Sequence, residues 1–101
     1  MSGTSGFVPE TGAIAEDAAE QARESLRTIG RALKKAGASL SDIVQVRVYI
    51  AERADVTPVS RVLGETFLPP RPTNTTILCG FAVPEIKVEI EVVALVRGRA
   101  G

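Results

Sequence analysis

The segment VEIEVVALV, residues 88–96, constrains this chain more than any other stretch. Val88, Ile90 and Val92 alternate with Glu89, Glu91 and Val93, and period two sends the two sets to opposite faces of a strand. Such a strand belongs in a sheet whose apolar face is covered and whose other face meets polar partners. Two carboxylates in an apolar strand are costly to bury unpaired. What Glu89 and Glu91 face is therefore the central question about the chain.

The remaining patterning supplies the cover. In EDAAEQARESLRTIGRALKKAGAS, Ala18, Ala22, Leu26, Ile29, Leu33 and Ala36 recur at spacings of four and three, which predicts an amphipathic helix of about five turns. Glu16, Asp17 and Glu20 stand at its front and Lys34 and Lys35 at its back, the favourable order for the helix dipole, and Gly37 supplies the stop. Leu40–Ile43 read as a short turn. Val44, Val46, Val48 and Ile50 then alternate with Gln45, Arg47 and Tyr49, a strand. A second helix starts at Asp55 or Thr57, tolerates Pro58 in its first turn, and carries the stripe Val59, Val62, Leu63 and Phe67. LPPRPTN breaks it, and two strands follow, expected to lie side by side about a turn at Pro84. Residues 1–14, rich in Gly, Ser and Thr, read as loop. Two helices on one face of a small mixed sheet make a single α+β domain over residues 1–101.

Composition removes several classes of function. Twelve basic and twelve acidic residues balance, and aromatics make up only 4% of the chain, which argues against a nucleic-acid surface. There is no histidine, and hence no Ser-His or Cys-His pair and no usual zinc ligand; no metal or cofactor is expected. One cysteine, Cys79, excludes an internal disulfide and fits a reducing compartment. No stretch approaches the roughly 18 apolar residues that span a bilayer, and MSGTSGFVPETG lacks the charged start and apolar run of a signal peptide. A cytoplasmic protein without membrane contact is the expectation.

The uncovered sheet face would carry Gln45, Arg47, Tyr49, Thr75, Ile77, Cys79, Glu89, Glu91, Val93 and Leu95. That mixture is too apolar for open water and too polar for a dry core, which points to a subunit interface. Within it, Glu89 is either a ligand contact or a structural carboxylate paired with Arg47 or a backbone amide, and Glu91 reads as structural. Cys79 shares the parity of Thr75 and lines the same face, although a lone cysteine is most often an inert small hydrophobe.

Ser2-Gly3, PETGAI, EQARESLRTIGRALKKAGASLSDIVQVRVYI and VEIEVVALV together resemble the reactive-intermediate deaminase (RidA/YjgF) family over nearly the whole chain. The resemblance implies a chorismate-mutase-like fold, a homotrimer whose sheets form a central barrel, and small-molecule clefts between neighbouring subunits. It implies hydrolysis of reactive 2-imino acids to 2-keto acids and ammonia. On this likeness Glu89 falls on the glutamate that positions the attacking water, and Ser2 and Gly3 on a pair lining the cleft.

The chain departs from the family pattern at three places. The arginine that grips the substrate carboxylate is replaced by Thr75, counting back from Pro84, and an asparagine of the second helix is replaced by Ser60. The first β-hairpin of the family precedes the point where this sequence starts. A hydroxyl cannot replace a guanidinium fork, whose charged bonds contribute about 1.5–3 kcal/mol. Arg71, four residues upstream, is the expected substitute anchor, with Arg47 reaching across an interface as the other source of a cation. The alternatives to a deaminase are a family member that binds a small metabolite without turnover and, more weakly, an endoribonuclease or translation inhibitor.

Overall fold

A computed structural model describes residues 4–5, 7–8, 13–14 and 16–95. Its elements are β1 (Thr4–Ser5), β2 (Phe7–Val8), β3 (Ala13–Ile14), α1 (Ala18–Lys35), β4 (Ile43–Ile50), α2 (Val56–Thr66), β5 (Thr73–Leu78) and β6 (Val88–Ala94). The expected helix–strand–helix–strand–strand order holds, and the amino-terminal stretch read as loop contributes three short strands.

Helix α1 begins where Asp17 accepts a hydrogen bond from the Glu20 amide at 3.0 Å. It ends in a Schellman turn: Gly37 takes φ 80°, its N–H donates to Lys34 O at 3.1 Å, and Ala38 N donates to Leu33 O at 2.8 Å. Ala36 sits at this cap and is exposed, so the stripe closes at Leu33. The stripe is also wider than the apolar residues suggest, because Gln21 and Ser25 on the same face are fully buried. Helix α2 follows Asp55 and buries Val59, Val62 and Leu63, with Phe67 packed at its end.

Both helices pack on one face of a sheet ordered β1-β6-β4-β5. Ile43, Val46, Val48 and Ile50 of β4 and Val88, Ile90 and Val92 of β6 meet them in one aliphatic core. Fully burying each such side chain is worth about 1.5–3 kcal/mol. This core holds the strand that carries the two glutamates.

Three expectations about the sheet are corrected. β5 and β6 are not neighbours across the Pro84 turn: β4 lies between them, antiparallel to β6 and parallel to β5. The 79–87 connection is thus a crossover past β4, not a hairpin. Alternation also slips at the start of β4, where a register shift between Ile43 and Gln45 turns Ile43 into the core and leaves Val44 42% exposed. Finally, β5 is exposed along its whole length, so the helices cover β4 and β6 but not the edge strand.

The crossover is tied to α1. Gln21 Nε2 donates to Glu85 O at 2.8 Å, while Gln21 Oε1 accepts from Lys87 N at 2.8 Å and Val88 N at 3.3 Å. Lys87 Nζ also donates to Glu16 O. These bonds fix the chain immediately before Glu89. No helix among the described residues is long and apolar enough to cross a membrane.

Candidate functional site

Strand β4 is the axis of the open sheet face. Arg47 is flanked in register by Thr75 on β5 and Glu91 on β6, and Tyr49 by Ile77 and Glu89. Side chains in register on one face are neighbours, and those two residues off are diagonal neighbours about 7–8 Å apart. The two glutamates are therefore offered the same partners, and those partners choose between them.

Glu91 takes both. Its Oε1 accepts from Arg47 Nη1 at 3.2 Å and from the Tyr49 hydroxyl at 3.2 Å. The Arg47 guanidinium is held above its ordinary range, first by the Tyr49 hydroxyl and then by the charge of Glu91. Gln45, Arg47, Glu91, Val92 and Val93 line a shallow recess of about 350 Å³. Glu89 is half-buried and paired through its backbone with Tyr49 and Ser5, but its carboxylate has no hydrogen bond or ion pair with any described side chain. The expected Arg47 pair thus forms with the neighbouring carboxylate, and no described side chain engages Glu89.

The other candidate residues divide between two places. Thr75 shares the open face with Glu89 but is separated from it by the width of β4. Ser60 and Arg71 lie at the helix side of the sheet edge, lining a cavity of about 180 Å³ with Asn74, Gly64 and the apolar floor Val46, Leu63 and Phe67. Arg71 also borders a second hollow with Val44, Thr73 and Leu95. Cys79 follows β5, half-buried, its backbone N–H donating to Ile50 O at 3.0 Å. Ser2 and Gly3 lie outside the described residues.

Arg71 and Glu89 of one chain are far apart. Thr73 lies beside Gln45 and Glu89 beside Tyr49, a separation of four strand residues or about 13 Å, and Arg71 precedes Thr73 by two more. One arginine side chain does not bridge that gap. Asn74, missed in the sequence, faces Ser60 because β5 pairs with β4 in a register that puts it beside Val46. No group of three His, Cys, Asp or Glu residues suited to a metal ion occurs among the described residues.

Residues 1–96 match the family model described as Endoribonuclease L-PSP. The chain belongs to that family, which is the RidA/YjgF family. Reactive Intermediate Deaminase A, chloroplastic, of Arabidopsis thaliana is 32% identical over 95 residues, 93% of this chain and 51% of that protein. The chain thus spans about half the length of this relative. The 2-iminobutanoate/2-iminopropanoate deaminase of Salmonella typhimurium is 31% identical over 100 residues, covering 93% of this chain and 78% of that one. Among solved structures, E. coli TdcF with bound serine superposes with a TM-score of 0.85 at 30% identity, over 97% of this chain and 79% of TdcF. RidA from the Antarctic bacterium Psychrobacter gives 0.87 at 28% identity, over 93% and 76%. The family members share the helix layer and mixed sheet described above.

Proposed function

We propose that this RidA/YjgF family member is a homotrimer of chorismate-mutase-like subunits that hydrolyses small 2-imino acids in clefts between subunits. The observation that carries the reading is the division of labour on β6. Glu91 is engaged by Arg47 and Tyr49, while the Glu89 carboxylate, at the position the family resemblance assigns to water activation, is half-buried and has no side-chain partner among the described residues. A carboxylate that no described side chain engages is available to a water. Names of relatives, 2-iminobutanoate/2-iminopropanoate deaminase among them, support the substrate class.

In this mechanism Glu89 accepts a proton from water as the oxygen bonds to the imine carbon. That proton passes to the imine nitrogen to give a carbinolamine. Glu89 then takes the carbinolamine hydroxyl proton and returns it to the amine as the carbon–oxygen double bond forms and the carbon–nitrogen bond breaks, so 2-keto acid and ammonia leave. Thr75 and Cys79 border Glu89's face. Ser60 and Arg71, together with Ser2 and Gly3, contribute across the subunit boundary, since Arg71 is too distant from Glu89 within one chain. No cofactor takes part.

The test is ammonia release from 2-iminobutanoate generated in situ by a dehydratase, for wild type and Glu89→Gln. Wild type is expected to accelerate release over the uncatalysed rate and Glu89→Gln to lose about 10²–10⁴-fold of that acceleration. Equal rates in the two proteins sink the role of Glu89. Sedimentation that shows a monomer at micromolar concentration sinks the trimer.

A second reading, a metabolite binder without turnover, is favoured by Thr75, which removes the family's anchoring guanidinium. It is the correct one if wild type binds 2-oxobutanoate and releases no ammonia above background.

A further inference from the structure

We infer that Arg47 is the carboxylate anchor of this chain, supplying from β4 the guanidinium that position 75 of β5 lacks. The inference rests on the proposed reading of Glu89 as the water-positioning group, and it names the residue that binds the ligand's anionic end.

Three observations lead there. Arg47 and Thr75 are register partners on adjacent parallel strands, and both side chains fall on the open face. Neighbouring strands are about 4.8 Å apart, so moving the guanidinium from position 75 to position 47 shifts it by a single strand, toward β6 and Glu89. Arg47 is also two residues from Tyr49, the register partner of Glu89, which makes Arg47 and Glu89 diagonal neighbours at about 7–8 Å. That separation suits a 2-imino acid, whose carboxylate is bonded directly to the carbon that water attacks. The anchor holds one end, and the water held by Glu89 meets the adjacent atom.

The guanidinium is also positioned and incompletely used. Glu91 engages it through Nη1, and Tyr49 fixes the same Glu91 oxygen. An arginine has five N–H donors in a planar fork, so its other edge remains for a bidentate carboxylate contact. The Arg47 side chain is 43% exposed and borders the recess with Gln45 and Glu91. Thr75, with its short side chain, leaves room beside it. One cation facing two carboxylates also predicts weak ligand binding, because Glu89 and Glu91 oppose an anion that Arg47 attracts.

The decisive variants are Arg47→Met and the relocation Arg47→Met/Thr75→Arg, each checked for an unchanged melting temperature and oligomeric state. Binding of 2-oxobutanoate, followed by NMR titration, reads the anchor without turnover; KM and kcat for 2-iminobutanoate read it during turnover. Arg47→Met is expected to raise the Kd about tenfold or more, as loss of a charged hydrogen bond does, with the effect in KM more than in kcat. The relocation is expected to recover most of it, since the guanidinium returns one strand away on the same face. Wild-type affinity in Arg47→Met overturns the inference, as does a folded double variant that binds no better than Arg47→Met. If Arg47→Met fails to fold, Arg47→Gln against Arg47→Lys decides: Lys retaining more affinity than Gln supports the anchor, and equal affinity overturns it. A wild type that binds 2-oxobutanoate through Arg47 and releases no ammonia overturns hydrolysis and leaves the anchor standing. Undiminished turnover in Arg47→Met does the reverse.

Discussion

Replacing Gln21 by Met tests how the fold delivers Glu89 to the open face. The side chains are similar in length and volume, so the change removes hydrogen bonds with little change in packing. Gln21 is fully buried. Met would leave three backbone groups unpartnered: Glu85 O, Lys87 N and Val88 N. These groups do not contribute equally. Val88 is fully buried, so its N–H finds no water, and an unsatisfied buried donor costs about 1–3 kcal/mol. Lys87 is half-buried and adds about 1 kcal/mol, while Glu85 is exposed and its carbonyl turns to solvent. The sum is about 2–4 kcal/mol. For a 101-residue chain that lowers the melting temperature by roughly 8–32 °C at 4–8 °C per kcal/mol. Urea titration gives the free energy, and hydrogen exchange locates the loss, with the Lys87 and Val88 amides exchanging faster than those of β4. A Gln21→Met protein within about 0.5 kcal/mol of wild type, with protection at residues 87 and 88 unchanged, would refute the claim that this side chain holds the crossover.

Glu91→Gln is expected to lose far less ammonia release than Glu89→Gln, with its loss in KM because Arg47 is held less firmly, and its melting temperature should be less salt-dependent than that of wild type, because the Arg47 pair is exposed to screening. Ile90→Ala, at a fully buried position of β6, should cost about 2–5 kcal/mol by urea titration with the m-value unchanged. Gly37→Ala forces a Cβ into φ 80° and should cost about 1 kcal/mol by thermal melting without touching ligand binding. Thr75→Arg alone should not raise turnover in the dehydratase-coupled assay, because the new guanidinium lies in register beside Arg47 and meets like charge; increased turnover in the single variant would contradict that placement.

What the sequence shows and what it conceals follow from how local each signal is. The α1 stripe, the α2 stripe and the alternation of Val88, Ile90 and Val92 are set by neighbours within a few residues, and apart from Ala36 at the end of α1 all three are buried as the pattern requires. Gln21 and Ser25 fall on the same helical face as Ala18, Ala22 and Leu26, so their positions carried a signal that their polarity masked. The placement of β4 between β5 and β6 was not legible. Pro84 serves a tight turn and a crossover equally well, and strand order is decided by contacts distant in sequence. The same non-locality hid the partner choice at the site: the alternation puts Arg47, Tyr49, Glu89 and Glu91 on one face, but only the register says that Arg47 stands opposite Glu91 and Tyr49 opposite Glu89. β5 concealed most, because a strand exposed on both faces has no burial pattern to read.

The open face has to be covered if Glu89 is to act as proposed. Ile77, Val93 and Leu95 are 37%, 46% and 58% exposed beside the Arg47–Glu91 pair, an apolar area that a single chain leaves in water. On an uncovered face the Glu89 carboxylate and the Arg47 guanidinium keep their hydration, and water weakens the attraction that would hold an anionic ligand. Closing the face against a second copy removes that water, strengthens the Arg47–carboxylate contact and leaves Glu89 with a confined water in place of bulk solvent. The apolar residues would then supply the association, and the polar row among them the chemistry. Interface and site are on this view one surface, which accounts for two carboxylates standing in an apolar strand: Glu91 holds Arg47 in place, and Glu89 is left for the substrate.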